Sequence, residues 1–222
     1  MSENSTETPE GGVSAHVYQK LFRMVMSNDI APGSRLNIDK IAVELGVSTT
    51  PVREALARLE TQELVTKEPM RGYFVSPIMS GEEFDDLWEF RLLLEVYAAS
   101  RAAERANADD IDRLRRELAS IRPVRLLDDD YTSMATFRNH DQCFHELVLD
   151  IAGNRQASKA LAQAHVHTRM LRMRFAPLDG YHAIQEHDDI IDAIAAADPD
   201  RAAEAMRTHV QNAHERIRAY AQ

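Results

Sequence analysis

Apolar residues recur along this chain at helical spacing almost everywhere, and at strand spacing in one short stretch. The first helix is expected from about Ser14, with Val17, Tyr18, Leu21, Phe22, Val25 and Met26 on one side. Pro32-Gly33 then marks a turn. Two shorter helices follow, one with Ile38, Ile41, Ala42 and Leu45 at i, i+3, i+4, i+7, the next repeating that spacing with Val52, Ala55, Leu56 and Leu59. Leu64-Val65-Thr66 and Tyr73-Phe74-Val75 flank a turn at Met70-Arg71-Gly72 and read as a β-hairpin. From Glu82 the period is helical throughout, with breaks near Ala108, Pro123, Gly153-Asn154, Pro177 to Gly180 and Asp198-Pro199, which divide it into about six or seven helices without a strand candidate. The expected fold is mainly α: an N-terminal winged helix-turn-helix of three helices and a hairpin wing, then an all-α bundle. Its boundaries are a disordered tail over 1–13, the winged helix-turn-helix domain over 14–76, a linker over 77–81 and the bundle over 82–222.

The junction between the two short helices carries the first functional signal. Gly46 can take the left-handed conformation that ends a helix, Val47 can plug the angle, and Ser48 can cap the helix that follows. That helix turns Thr50, Arg53, Glu54 and Arg58 away from its apolar stripe. Its N-terminus offers free N–H groups that suit a phosphate, and such a face fits a major groove. Arg71, at the hairpin tip, favours a wing that touches DNA over one that only covers the core.

The run PGSRL at 32–36, LGVS at 45–48, TPVREALARLE at 50–60 and the LV…RGYFV hairpin at 64–75 resemble the winged helix-turn-helix of the GntR family of bacterial transcription regulators. The resemblance implies DNA contacts from Arg35, Lys40, Ser48, Thr49, Thr50, Arg53, Arg58, Arg71 and Gly72. One position departs from it: Thr49 stands where the family usually has a base-reading arginine, which bears on operator sequence rather than on fold.

Charge refines this picture. The net charge of −10 taken whole argues against a nucleic-acid partner, but residues 1–13 carry −3, residues 14–76 carry +1 and residues 77–222 carry −8. The acidity belongs to the bundle. A near-neutral reading domain needs two copies for affinity, and that affinity falls with salt. The single Cys143 has no partner for an internal disulfide or a thiolate zinc site and is expected in the core. No apolar run reaches membrane-spanning length and the N-terminus lacks a secretory pattern, so a cytoplasmic protein without membrane contact is expected.

Polar residues that interrupt apolar stripes carry the remaining chemistry. Around 132–152 the inward face runs Met134, Phe137, Asp141, Phe144/His145, Val148, Ile151, so a carboxylate and an imidazole at i, i+4 point inward together. Ile184, His187, Ile191 and Ile194 share a face, and His209 sits beside Met206 and Val210. Buried charge is costly unless paired or bound to a metal, and one Asp with three His suits zinc, nickel or another first-row divalent ion. Each residue alone is equally a satisfied core group, and Asp141 with His145 equally a hydrogen-bonded pair. DxxFH at 141–145 followed by Gly153-Asn154, EHxxI at 186–190 and ADPDRAAEAMRTH at 197–209 are similar to the ligand-binding FCD domain of the FadR subfamily of GntR regulators. In its metal-binding members those positions are the ligands, which implies a divalent metal on Asp141, His145, His187 and His209.

Arg91 and Glu95 fall on the stripe of the first bundle helix at i, i+4. They are either a structural ion pair or, as the resemblance implies for Arg91, a cavity arginine that clamps an effector carboxylate. Arg138, Arg169, Arg172 and Arg174 are further cavity candidates, whereas His16, His140, His165, His167, His182 and His214 are expected at the surface or in packing. Together these features lead to a non-enzymatic, ligand-responsive DNA-binding regulator. It is expected to be a repressor, acting as a homodimer on a pseudo-palindromic double-stranded operator and answering to a small organic or sugar acid at the metal. The alternatives are a metal-dependent hydrolase and a constitutive DNA-binding protein with a purely structural metal.

Overall fold

The computed structural model describes residues 10–121, 131–166 and 180–218. The chain divides into two compact units, Met1–Ile78 and Met79–Gln222. The breaks expected at Pro123 and Pro177, together with His167, Arg169, Arg172, Arg174 and the Met134 side chain, lie outside the described residues.

In the first unit, α1 spans Glu10–Met26, α2 Ile38–Leu45 and α3 Thr49–Thr61. Helix α1 begins four residues before Ser14, inside the stretch expected to be a disordered tail. First-turn N–H groups need no intrahelical partner and an acid such as Glu10 suits a helix start, so Gly11 and Gly12 are tolerated there. Val17, Leu21 and Val25 of α1 are buried with Val52, Ala55, Leu56 and Leu59 of α3, which together form the core of this unit. Gly46 ends α2 at φ 66°, and its N–H bonds back to the Ala42 and Val43 carbonyls. Ser48 stands at the N-cap of α3 with extended backbone, but its side chain makes no capping bond, contrary to expectation.

The wing holds one more strand than the pattern shows. Strands β1 (Arg35–Leu36), β2 (Val65–Glu68) and β3 (Gly72–Val75) form an antiparallel sheet in the order β1-β3-β2, with Leu36 opposite Tyr73 and Val65 opposite Val75. Two residues are too few for alternation to register, and β1 exists because β3 offers it a free edge.

In the second unit, α4 spans Gly81–Arg105, α5 Ala108–Ile121, α6 Tyr131–Ala152, α7 Arg155–Gln163, α8 Gly180–Ala195 and α9 Pro199–Arg218. The described residues thus hold nine helices in all, six of them here. Ser80 opens α4 with a reciprocal capping box: its hydroxyl accepts from the Glu83 N–H while the Glu83 carboxylate accepts from the Ser80 N–H. Helix α4 packs against α6 and α9, and α8 packs on α9. The Trp88 indole donates to the Val210 carbonyl at 2.7 Å, tying α4 to α9. Gly153 takes φ 72° after α6, and Asn154 then caps α7 by accepting from the Gln156 and Ala157 N–H groups. Cys143 is half-buried rather than a core residue.

Candidate metal centre and nucleic-acid interface

Helix α3 presents the face expected of a recognition helix. Its stripe is fully buried, while Thr50, Arg53, Glu54 and Arg58 are exposed and Thr49 is half-buried. Arg58 is partly engaged: its guanidinium lies 4.0 Å from the centre of the Tyr18 ring, which anchors it to α1. Lys40 is exposed on the first turn of α2, where its N–H bonds to the Asn37 side chain at 3.0 Å. Arg35 is exposed on β1 beside Gly72, which needs its φ of 97° to turn the wing. Arg71 is exposed at the tip, paired with Glu68 and lying 5.0 Å from the Phe74 ring centre.

The bundle brings Asp141 and His145 of α6, His187 of α8 and His209 of α9 into one cluster. All four are buried, and one donor atom from each lies within 4.8 Å of the others. Hydrogen bonding fixes which nitrogen of each ring faces the centre. His145 Nδ1 meets the Glu95 carboxylate and His209 Nδ1 donates to Glu186 at 2.8 Å. His187 Nδ1 lies 3.1 Å from His140 Nε2, and His140 Nδ1 lies 3.0 Å from the Glu117 carboxylate. A carboxylate accepts only, so the facing Nδ1 carries the proton and Nε2 a lone pair. The same reasoning passes through His140 to His187. Three lone pairs therefore converge with a carboxylate: His145 Nε2 and His209 Nε2 lie 3.2 Å apart, and Asp141 Oδ1 is 3.5 Å from His187 Nε2 and 3.8 Å from His145 Nε2. Among the described residues, His187 Nε2 is buried without a hydrogen-bond partner. His145 Nε2 can accept from Arg91 Nη2 at 3.3 Å, but the His187 lone pair faces the Asp141 carboxylate in a buried space, a repulsion that a cation relieves, so this donor set fits a divalent metal ion.

Electrostatics keeps His145 and His209 neutral and Glu95 and Glu186 charged. Burial pushes His145 below its ordinary pKa despite Glu95, and lowers His209 to about 3 despite the bond to Glu186. Burial works to raise the Glu95 carboxyl, but Arg91 and then His145 outweigh it and hold it well below the usual carboxylate range. Glu186 is brought to about 2 against burial by Arg216, His209 and Asn212, with both Arg216 contacts at 2.8 Å. Arg91 is buried and donates to Glu95 at 2.6 Å, as the ion-pair reading requires, and its Nη2 also reaches His145 Nε2 at 3.3 Å. The Arg91 and Glu95 pair thus borders the cluster as well as stabilising the core, while Arg138 is half-buried on α6.

The outer partners were not readable from the sequence. His140, expected at the surface or in packing, is buried and bonded to His187, because α5 packs on both α6 and α8 and closes that flank of α6. Glu186 and Glu117 meet the rings across helices, and no spacing within one helix signals that. His214 stacks on Phe84 with ring centres 5.2 Å apart, a packing role, while His16 and His182 are exposed and His165 is half-buried.

A winged helix-turn-helix followed by a helical bundle enclosing such a cluster is the organisation of a two-domain DNA-binding regulator. Residues 13–75 match the bacterial regulatory proteins of the gntR family and residues 86–212, more than half the chain, match the FCD domain. The chain belongs to the gntR family, among its members with an FCD domain, and is a DNA-binding transcriptional regulator. It is 27% identical over 225 residues to the HTH-type transcriptional repressor RspR of Escherichia coli, covering 98% of this chain and 94% of that one. It is 29% identical over 214 residues to an HTH-type transcriptional regulator in an unstable DNA locus of Streptomyces ambofaciens, covering 92% and 86%. The solved structure of E. coli McbR/YncC shares the fold with a TM-score of 0.71 at 20% identity, covering 95% of this chain and 99% of that one. Among the described residues no helix is long and apolar enough to cross a membrane.

Proposed function

We propose that the protein is a metal-dependent, effector-responsive repressor that binds a pseudo-palindromic operator as a homodimer in the cytoplasm. Asp141, His145, His187 and His209 would hold one divalent ion, zinc or nickel. A small organic or sugar acid would complete its coordination, with Arg91 as the neighbouring cation for the acid's second oxygen. The observation that carries this reading is the convergence of three imidazole lone pairs and a carboxylate in a buried space. The ion would supply a Lewis-acidic anchor for the effector carboxylate. Repression is supported by the similarity to the transcriptional repressor RspR, and a dimer by the near-neutral reading domain, whose affinity needs two half-sites. Effector binding changes DNA affinity only if it prefers an arrangement in which the two recognition helices are misplaced.

On the DNA side, Thr50 and Arg53 would make base or phosphate contacts at the N-terminal half of α3. Thr49, Ser48 and Arg58 would flank them, Lys40 and Arg35 would meet phosphates, and Arg71 with Gly72 would serve the wing. A hydrolase is disfavoured because the buried Glu95 and the half-buried Glu186 are both committed to imidazoles and arginines and offer no base for water.

The test is metal analysis of the wild type and His187→Ala, paired with operator titrations with and without candidate acids. The expected result is about one divalent ion per wild-type chain, the count a single four-ligand site allows. The variant should lose its metal and its effector response while keeping effector-free operator binding. A wild type without metal after mild purification, or a variant that still responds fully, would overturn the proposal.

A further inference from the structure

We infer that His140 and Glu117 are positioning residues for His187: together they form an arm that reaches from the half-exposed face of α5 to the buried cluster and holds the His187 Nε2 lone pair on the metal position. The inference rests on the reading of the cluster as a metal site. It starts from an asymmetry among the three rings. His145 and His209 each lean directly on a carboxylate that an arginine holds, Glu95 by Arg91 and Glu186 by Arg216. Among the described residues, His187 has no carboxylate at Nδ1. Its neighbour there is His140 Nε2, at 3.1 Å, and an imidazole can stand on either side of a hydrogen bond.

Glu117 removes that ambiguity. Its carboxylate lies 3.0 Å from His140 Nδ1, so the proton of His140 sits on Nδ1 and its Nε2 must accept. His187 then donates from Nδ1 and keeps a bare Nε2, the nitrogen that lies 3.5 Å from Asp141 Oδ1. Without this arm nothing would hold the proton on Nδ1, and the tautomer carrying it on Nε2 would donate it to Asp141 and close the metal position. The Phe144 ring, stacked on His187 with centres 3.9 Å apart, fixes the plane of the imidazole but not which nitrogen bears the proton. Helix α5 contributes no ligand, yet through Glu117 it governs one contributed by α8. Partners of this kind are worth about 10–100-fold in metal affinity where they have been removed.

Two measurements test the arm. Long-range proton–nitrogen spectra of metal-free, histidine-labelled protein should show His187 protonated at Nδ1 in the wild type and a mixture of tautomers in His140→Leu. Chelator competition with zinc should give affinity about 10–100-fold weaker for His140→Leu and clearly weaker for Glu117→Ala. Glu117→Gln, whose amide oxygen still accepts from His140, should restore both the tautomer and the affinity, a rescue that a space-filling role for Glu117 does not predict. Glu117 has 23% of its side chain exposed, so its variants fold even if the buried His140→Leu does not. Wild-type tautomer and affinity in Glu117→Ala would overturn the inference. A wild type that binds no zinc would instead overturn the metal reading, and the tautomer spectra would still decide whether the arm orients His187.

Discussion

Replacing His187 by asparagine separates what the ring does for the fold from what it offers a cation. The amide nitrogen falls near the place of Nδ1 and can still donate to His140 Nε2, while nothing takes the place of Nε2. That atom is buried without a hydrogen-bond partner, and removing such a group relieves about 1–3 kcal/mol. Against this stands the stacking on Phe144, worth about 0.5–1.5 kcal/mol, and a small void of order 1 kcal/mol. The amide oxygen, near the place of Cδ2, is a new buried acceptor that costs about 1–3 kcal/mol, so in chelator the variant should lose no more than about 3 kcal/mol. Metal separates them. At about 100 times its dissociation constant a ligand adds about 2.7 kcal/mol, which in a protein of this size raises the melting temperature by roughly 5–11 °C. A 100-fold weaker site at the same concentration retains only about 0.4 kcal/mol, roughly 1–2 °C. Trp88 is the chain's single tryptophan and is buried in the second unit, so its fluorescence follows this transition without contribution from the DNA-binding unit. Equal zinc-induced shifts in the two proteins would remove His187 from the site. A loss well above 3 kcal/mol in chelator would show that Nε2 has a structural partner after all.

On the DNA side, Arg53→Ala should cost about 1–3 kcal/mol of operator affinity with the fold intact, and Thr49→Arg should move the preferred site toward a guanine at the matching step; gel-shift titration and selection from random DNA check the two. Gly153→Ala forces a side chain to φ 72° and places its Cβ 2.9 Å from the Arg105 guanidinium. Since Arg105 can move, the backbone strain dominates, and urea unfolding of the second unit should show a loss of about 1–2 kcal/mol. In chelator, stability should fall on acidification. His209 titrates near 3 in the fold against 6.5 for the ordinary group, so between those values the unfolded chain holds more protons and stability declines as pH drops through that window. A urea midpoint at pH 5 equal to or above that at pH 7 would contradict the buried neutral imidazole.

The period of apolar residues disclosed nearly all of the architecture because helical burial leaves a mark within one segment: the α3 stripe at Val52, Ala55, Leu56 and Leu59 is buried as spaced. Features that depend on a distant partner left no such mark. Strand β1 is two residues held by the edge of β3, and the hydroxyl of Ser48 has the right position but makes no bond. The cluster shows the same division. Asp141, His145, His187 and His209 each stand on an inward face, so helical phase alone brings them forward as candidates. His140 lies one position from Asp141, about 100° round the helix, and became a buried hydrogen-bonding residue only because α5 packs on both α6 and α8. Glu117 and Glu186 reach their rings from other helices, a relation that depends on how the helices are arranged in space.

With one cysteine, the chain cannot fasten its own bundle by a disulfide. A cation held by the cluster would do comparable work as a removable cross-link. His145 and His209 stand 64 positions apart in sequence with their Nε2 atoms 3.2 Å apart in space, so a bound ion would close a loop of that length and, with His187, pin three helices at one point. Closing such a loop restricts the unfolded chain as a covalent bridge does, with a penalty that grows only slowly with length. Unlike a covalent bridge, it would open whenever the ion is withdrawn, so the rigidity of the bundle would follow the concentration of free metal around it.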